Sequence, residues 1–143
     1  MNGNVFLDSN IAIYAHTNLD LAKQAIAQRL VNRPDCLIST QVCSEFANAL
    51  RKKFKLDWPA IQLLLDNLLM NAPVHVNTPE TIRQATGIAH RYGFSFYDSL
   101  IIAAALETGC TTLYSEDLQH GQVIDGKLEI QNPFLPQSLD SGE

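Results

Sequence analysis

The sequence predicts an α/β domain in which helices flank a central, mainly parallel β-sheet. Short apolar segments such as residues 4–7 and 36–39 alternate with long segments of helical periodicity, an order typical of parallel sheets. A second observation is the apolar run at residues 100–106, which predicts a helix buried on every side. In parallel sheets functional groups gather beyond the carboxyl ends of the strands, and acidic residues follow two of the predicted strands directly.

The composition is that of an ordinary globular protein. Of the 143 residues 46% are hydrophobic and 17% are charged, which is enough apolar material for a core without disulfides or metals. We expect one domain at residues 1–134 and a flexible tail at residues 135–143. Three cysteines without CxxC spacing favour reduced thiols in a cytoplasmic protein. No apolar run reaches the length of a membrane span, so no membrane association is expected.

Turn residues and periodicity assign the elements in chain order. The predicted strands cover residues 4–7, 36–39, 74–76, 111–114, 123–124 and 127–130, with a type I′ turn at Asp125-Gly126. The predicted helices cover residues 11–15, 18–31, 41–55, 57–69, 78–91 and 98–109. The third and fourth helices form a hairpin that carries more Leu than one core face needs, and this surplus favours a partner surface.

Acidic residues lie at comparable places along this order. Asp8 follows the first strand, Glu45 lies two turns into the helix after the second strand, and Asp98 begins the buried helix. Glu116-Asp117 follows the strand at residues 111–114. Each has an ordinary explanation as a helix cap, an exposed helix residue or a turn residue. A shared site explains all of them together better than four coincidences at one sheet edge.

Carboxylates gathered at one edge need a counter-charge. Two of them about 5 Å apart repel by roughly 3 kcal/mol at an effective dielectric constant of ~20. Oxygen ligands suit Mg²⁺ or Mn²⁺, and such an ion can activate water and polarise a phosphoryl oxygen. The basic run Arg51, Lys52 and Lys53 lies one to two turns beyond Glu45 and would hold a phosphate backbone, although a solvated helix end also explains it. The net charge of −5 does not by itself indicate a nucleic-acid binder.

Four motifs together resemble the PIN-domain family, and most closely the VapC-type toxins of bacterial toxin–antitoxin pairs. They are VFLDSNIAIYA, Ser44-Glu45 in a helix after a short strand, FYDSLIIAAA, and LYSEDLQHG followed by a strand and Asn-Pro-Phe. Their order and spacing are preserved over residues 4–134.

The resemblance implies a PIN-like fold, similar to flap endonucleases, with three layers around a central parallel sheet. It implies an endoribonuclease dependent on Mg²⁺ or Mn²⁺, whose catalytic and metal-binding residues are Asp8, Glu45, Asp98 and Asp117. Asn10 and Ser115 match the family's residues that orient those carboxylates. Glu116 is adjacent to Asp117, and either could face the metal. The match of the LYSEDLQHG motif to the family favours Asp117. The implied partners are an RNA substrate, a small cognate antitoxin protein and a second copy of the chain.

The predicted function is therefore RNA hydrolysis by a metal-activated water in a toxin, without a covalent enzyme intermediate. Arg51, Lys52 and Lys53 are predicted to bind the RNA backbone. One alternative is a catalytically silent PIN-fold module that binds nucleic acid or protein. Another is a phosphoryl-transfer fold with Asp8 as nucleophile, which is disfavoured because no Lys lies between Lys55 and Lys127.

Overall fold

One six-stranded sheet flanked by helices makes up the part of the chain that the computed structural model describes, residues 3–136. The strands are β1 Val5–Leu7, β2 Cys36–Ser39, β3 Val74–His75, β4 Thr112–Tyr114, β5 Val123–Ile124 and β6 Leu128–Gln131. The helices are α1 Ser9–His16, α2 Leu21–Val31, α3 Thr40–Lys52, α4 Trp58–Asn71, α5 Pro79–Tyr92 and α6 Phe96–Glu107. Of the predicted tail, residues 137–143 lie outside the described range.

The sheet has the strand order β3-β2-β1-β4-β6-β5, and each neighbouring pair is parallel except β5 with β6. The predicted mainly parallel sheet is thus confirmed. The central strand β1 lies between β2 and β4, with Val5 opposite Cys36 on one side and Thr112 on the other. Because these three strands are parallel, their carboxyl ends meet at one edge of the sheet.

The helices form two packed groups. Helix α1 packs against α2 and α3, and α3 packs against α4, whereas α5 packs against α6. The chain moves from β1 to β3 in one direction across the sheet and then returns to β4 through α5 and α6. Because crossovers between parallel strands are as a rule right-handed, connections that run in opposite directions across the sheet put their helices on opposite faces, in agreement with the predicted three layers.

The middle of helix α6 is buried on all sides, as its apolar run predicts. Every residue from Ser99 to Ala105 is buried. The helix begins at Phe96, two residues earlier than predicted, because Ser95 serves as the N-cap and its Oγ accepts a 3.2 Å hydrogen bond from the Asp98 N–H. Asp98 therefore lies in the first turn of a helix whose position the core fixes.

Side-chain caps and backbone dihedrals account for two other differences in helix bounds. Helix α2 begins at Leu21 rather than at residue 18, because the Asp20 side chain caps the Lys23 N–H at 3.1 Å. Helix α3 ends at Lys52 rather than at residue 55, where Lys55 takes a left-handed backbone with φ 60°. The predicted type I′ hairpin turn is consistent with the positive φ of both Asp125 and Gly126.

The Leu-rich hairpin of α3 and α4 divides its apolar residues between the core and the surface. Ile61 and Leu68 of α4 are buried, whereas Leu63 is 70% exposed and Met70 is 86% exposed. The core therefore does not use the whole apolar surface of α4. A membrane span would need a longer apolar helix than any within residues 3–136.

Candidate active site

Asp8 stands at the carboxyl end of the central strand β1 and caps helix α1. Its Oδ1 accepts a 2.7 Å hydrogen bond from the Ser9 N–H, and its Oδ2 accepts a 2.8 Å bond from the Ser115 hydroxyl. The Asp8 N–H donates to the Tyr114 carbonyl at 3.0 Å, which continues the pairing of β1 with β4. Only 6% of the residue is exposed. Both carboxylate oxygens are thus held by the two chain segments that leave adjacent strands.

Burial raises the pKa of the Asp8 carboxyl from 3.8 to about 6. The hydrogen bonds from Ser115 and Ser9 oppose this rise, and repulsion from Glu45 and Asp117 adds to it. A carboxylate on α3 and one in the loop after β4 thus lie close enough to Asp8 to repel its charged form. A buried carboxylate in this setting favours a proton or a cation.

Asp117 is held on the same side of the sheet by Asn10 and Ser115. The Asn10 Nδ2 donates to Asp117 Oδ2 at 3.2 Å, and the Ser115 Oγ accepts from the Asp117 N–H at 3.2 Å. The Asn10 Oδ1 also accepts the Glu116 N–H at 3.3 Å. Asn10 and Ser115 therefore contact Asp117, and Ser115 joins it to Asp8 through one hydroxyl.

Glu116 is held away from Asp117 by a separate set of contacts. Its Oε1 accepts a 2.7 Å hydrogen bond from the Tyr14 hydroxyl, and its Oε2 forms an ion pair with Lys23. The Lys23 ammonium lies 5.0 Å from the ring centroid of Tyr14 and 5.4 Å from that of Phe134. Of the two adjacent acids, Asp117 thus interacts with Asp8, while Glu116 binds α1 and α2.

Glu45 is linked to the start of α6 through Gln41. The Gln41 Nε2 donates at 3.0 Å to Glu45 Oε2 and at 3.0 Å to the Tyr97 carbonyl. Tyr97 directly precedes Asp98, so this amide brings the α3 carboxylate and the first turn of α6 together. No hydrogen bond reaches the partly exposed Asp98 carboxylate from any of residues 3–136.

Gln41 and the Lys23–Tyr14 pair contact the acidic residues but are not among the predicted site residues. Gln41 lies four residues before Glu45, and this i, i+4 spacing on a predicted helix was an available signal. Lys23 lies 93 residues from Glu116 and Tyr14 lies 102 residues from it. Nothing in the spacing of the chain indicates these contacts.

The three predicted RNA-binding residues lie at the exposed end of α3. Lys52 is seven residues beyond Glu45, so it shares the helix face of Glu45 about 10 Å farther along. Arg51 donates to the Leu56 carbonyl at 3.0 Å, and its guanidinium lies 5.4 Å from the ring centroid of Trp58. The Lys53 ammonium lies 5.9 Å from the Phe54 ring centroid. Of the three residues, Lys52 is therefore best placed to extend an RNA-binding surface away from the acidic group.

The donor atoms of the acidic group fit a hard divalent cation. The Ser115 hydroxyl contacts Asp8, and the carboxylates of Glu45 and Asp117 act on it; Mg²⁺ and Mn²⁺ prefer oxygen ligands of these kinds. Within residues 3–136 no three His, Cys, Asp or Glu side chains are arranged as a ready metal-binding group. Mg²⁺ commonly uses one or two carboxylates and keeps several waters, so its binding does not require a complete set of protein ligands.

Solved structures with the same fold include proteins of toxin–antitoxin systems. VapC20 of Mycobacterium tuberculosis, a toxin that cleaves the sarcin-ricin loop, has a TM-score of 0.65 and 21% identity over 77% of this chain and 87% of its own. A toxin–antitoxin complex from Klebsiella pneumoniae has a TM-score of 0.66 and 16% identity over 92% and 98%. VapBC2 of Rickettsia felis, bound to a DNA fragment from its promoter, has a TM-score of 0.65 and 19% identity over 90% and 97%. These likenesses show a shared fold.

Sequence comparison gives the family. No curated protein matches the chain significantly. The family model of the PIN domain matches residues 5–124, which include Asp8, Glu45, Asp98 and Asp117. The matched segment extends from β1 to β5 and so contains all six helices of the described chain. The chain belongs to the PIN domain family.

Proposed function

We propose that this protein is a metal-dependent endoribonuclease and the toxin of a toxin–antitoxin pair, with residues 1–134 as one catalytic domain. The observation that carries the proposal is the buried Asp8 carboxylate, which Glu45 and Asp117 repel at the carboxyl edge of a parallel sheet. A purely structural aspartate gains nothing from two acidic neighbours. The same cluster becomes favourable once a cation binds there.

Asp8, Glu45, Asp98 and Asp117 would hold Mg²⁺ or Mn²⁺. When bound, the ion would supply activation of water and charge neutralisation at the phosphoryl group. The protein's own part is preorganisation. Ser9 and Ser115 fix both oxygens of Asp8, and Asn10 fixes one oxygen of Asp117 before any substrate binds.

The substrate side of the proposal rests on charge. A protein of net charge −5 with acids at its site repels RNA unless cations lie near the scissile phosphate. Lys52 supplies a positive charge on the Glu45 face of α3, and Arg51 and Lys53 flank it in the chain. These three residues would bind the RNA backbone and carry no sequence preference by themselves.

A cognate antitoxin protein and a second copy of the chain are the proposed protein partners. Solved proteins of this fold include a toxin–antitoxin complex and VapBC2. The apolar side chains Leu63 and Met70 of α4 are largely exposed, and exposed groups of this kind favour protein contacts. We expect the toxin to act on RNA in the cytoplasm.

The direct test is cleavage of fluorescent single-stranded RNA by the purified protein in Mn²⁺, in Mg²⁺ and in excess EDTA. We expect cleavage only with the metals. The Asp98→Asn variant should lose activity on the order of 100-fold or more, the scale on which removal of an electrostatic active-site contact acts. Asp66→Asn, which changes an exposed aspartate on α4, is the matched control and should keep wild-type activity.

Two outcomes would contradict the proposal. Equal cleavage in EDTA would exclude the metal-dependent mechanism. If the folded protein cleaves no RNA in Mn²⁺ and Asp98→Asn behaves like the wild type, the catalytically silent binding module is favoured instead.

A further inference from the structure

His120 lies in the loop after β4, three residues beyond Asp117, and its side chain is exposed. The backbone that follows it is bonded to β6. The Gly121 N–H donates to the Ile130 carbonyl at 2.7 Å, and the Ile130 N–H donates to the Gln122 carbonyl at 2.8 Å. The sheet therefore fixes the position of His120 although the residue belongs to a loop.

The imidazole ring of His120 is anchored to the same strand. Its Nδ1 accepts a 3.0 Å hydrogen bond from the N–H of Asn132, the residue directly after β6. A backbone N–H can only donate, so Nδ1 carries no hydrogen and the neutral ring bears its hydrogen on Nε2. Nε2 itself makes no hydrogen bond with any of residues 3–136. The ring thus presents one N–H donor that this part of the chain does not use.

The contacts of the ring place it at the edge of the sheet that carries the acidic group. Asn132 directly follows Gln131, whose carbonyl accepts the Ser115 N–H at 3.0 Å. The Ser115 Oγ in turn donates to Asp8 Oδ2 at 2.8 Å. One peptide unit and two hydrogen bonds therefore separate His120 Nδ1 from the Ser115 nitrogen, a distance of at most about 8 Å.

Other donors at this edge are already bonded to acidic side chains. The Ser115 hydroxyl, the Asn10 amide and the Lys23 ammonium each donate to a carboxylate of the protein. An RNA phosphate that enters the site meets these negative oxygens and needs donors that are not bonded to them. The Nε2–H of His120 is a donor of this kind, and its direction is set before the RNA binds.

We infer that His120 is a substrate-binding residue whose Nε2–H donates a hydrogen bond to a phosphate oxygen of the RNA. It acts as a neutral donor and does not transfer a proton. A second proton on the ring would sit on Nδ1 and face the Asn132 N–H, so the anchoring bond would be lost. The inference rests on the proposed function and adds to it an RNA contact outside the four acids and the basic run of α3.

Two substitutions separate the two nitrogens of the ring. His120→Asn puts an amide oxygen in the place of Nδ1 and leaves nothing in the place of Nε2. His120→Gln puts an amide nitrogen as many bonds from Cβ as Nε2 and leaves no acceptor in the place of Nδ1. A residue that only anchors the loop tolerates Asn better than Gln. A residue that binds RNA through Nε2 shows the reverse order in RNA affinity.

The test measures the affinity of the full-length chain for a fluorescent single-stranded RNA in Mn²⁺ at pH 8 by fluorescence anisotropy. Every protein carries Asp98→Asn so that the RNA stays intact, and the protein with this change alone is the parent. We expect His120→Asn to bind about 10-fold more weakly, as for the loss of one hydrogen bond to a charged group, with an unchanged unfolding midpoint in EDTA. His120→Gln should keep most of the affinity and have a lower midpoint.

The salt dependence of binding tests the neutral character of the contact. The slope of log affinity against log salt should be the same in His120→Asn and in the parent, because a neutral donor releases no counterion. His90→Asn is the matched control, since it changes an exposed histidine in the last turn of α5. Its affinity and its salt slope should match those of the parent.

The outcomes separate this inference from the proposed function. If affinity stays high in His120→Asn and falls with the midpoint in His120→Gln, the residue only anchors the loop and the inference is wrong. A smaller salt slope in His120→Asn would mean a charged contact and would equally contradict it. If the parent binds RNA but the wild type cleaves none in Mn²⁺, the proposed nuclease fails while the affinities still decide the contact. If the parent binds no RNA, both fail.

Discussion

The Ser115 hydroxyl donates a 2.8 Å hydrogen bond to Asp8 Oδ2 across 107 residues of sequence. Ser115 follows β4 and Asp8 follows β1, and these strands are adjacent and parallel. The same Ser115 oxygen accepts the Asp117 N–H, so one buried hydroxyl is bonded to two of the predicted metal ligands. The parallel pairing of β1 with β4 therefore sets the geometry of the acidic group directly.

The first prediction concerns this hydroxyl. Its hydrogen bond lowers the pKa of Asp8, so Ser115→Ala should raise that pKa further and leave the carboxylate less firmly oriented. We expect Mn²⁺ affinity and RNA cleavage to fall about 10-fold, with the acid limb of the pH–rate profile moved to higher pH. Thr86→Ala, which removes an exposed hydroxyl on α5, is the control. An unchanged acid limb in Ser115→Ala would contradict the role of the hydroxyl.

The second prediction concerns the stability of the metal-free protein. The Asp8 pKa is about 6 in the folded state against 3.8 for an ordinary aspartate, so the folded state binds more protons between these values. The free energy of unfolding should therefore fall as pH rises through this window, by up to about 3 kcal/mol from this group. Asp8→Asn should lack this component and be more stable than the wild type at pH 7 by about 1–3 kcal/mol.

Denaturant unfolding in EDTA from pH 4 to pH 8 measures this effect. The difference between wild type and Asp8→Asn isolates the Asp8 contribution, because the other titrating groups are common to both proteins. Mn²⁺ should stabilise the wild type at pH 7 and should stabilise Asp8→Asn much less. Parallel pH curves for the two proteins would show that Asp8 ionises normally in the folded state.

The third prediction separates the two adjacent acids. Asp117 is bonded to Asn10 and repels Asp8, whereas Glu116 is bonded to Tyr14 and Lys23. Asp117→Asn should reduce RNA cleavage on the order of 100-fold, and Glu116→Gln should leave most of the activity. Cleavage rates at saturating Mn²⁺ measure the difference. The reverse ranking of the two variants would assign the metal-facing role to Glu116.

The fourth prediction treats Lys23 and Glu116 as a structural pair. Their side chains are 30% and 24% exposed, so the ion pair is partly screened and its net contribution is small. Lys23→Met leaves the Glu116 charge with only the Tyr14 hydroxyl and should cost about 1 kcal/mol of unfolding free energy. Adding Glu116→Gln to Lys23→Met should recover part of that loss. Additive effects in this double-mutant cycle would mean that the pair is not coupled.

The sequence predicts the architecture well because its signals are local. The apolar run of α6 has no solvent-facing side and so requires burial, and the short strands are bounded by turn and capping residues. The first and last residues of the helices are less predictable, since the start of α2 depends on whether Asn18 or Asp20 is the N-cap. That choice follows from the hydrogen bond between Asp20 and the Lys23 N–H, which composition does not reveal.

The candidate site likewise has a part that the sequence predicts and a part that depends on tertiary contacts. Asp8, Glu45, Asp98 and Asp117 can be proposed from their places after strands and at helix starts, together with the family resemblance. The direction of Glu116 depends on Lys23 and Tyr14, which reach it only when α1 and α2 pack beside the β4 loop. Side-chain partners of this kind are tertiary contacts between distant segments. A single sequence does not reveal which distant segments meet, so the partners of Glu116 could not be predicted from it.

The fifth prediction tests the basic end of α3 as an RNA-binding surface. Lys52 shares the face of Glu45 and is exposed, so Lys52→Gln should remove about one phosphate contact. RNA affinity is measured with the Asp98→Asn protein in Mn²⁺ at several salt concentrations, so that the RNA stays intact. The slope of log affinity against log salt should fall in magnitude by about 0.7 for single-stranded RNA.

Lys127→Gln is the matched control for this measurement. Lys127 immediately precedes β6, which is parallel to β4, so it lies at the amino edge of the sheet, opposite the edge that carries Asp8. Removing its charge changes the net charge of the protein by the same amount as Lys52→Gln. A general electrostatic effect would alter the salt slope equally in both variants, whereas a phosphate contact at α3 alters it only in Lys52→Gln.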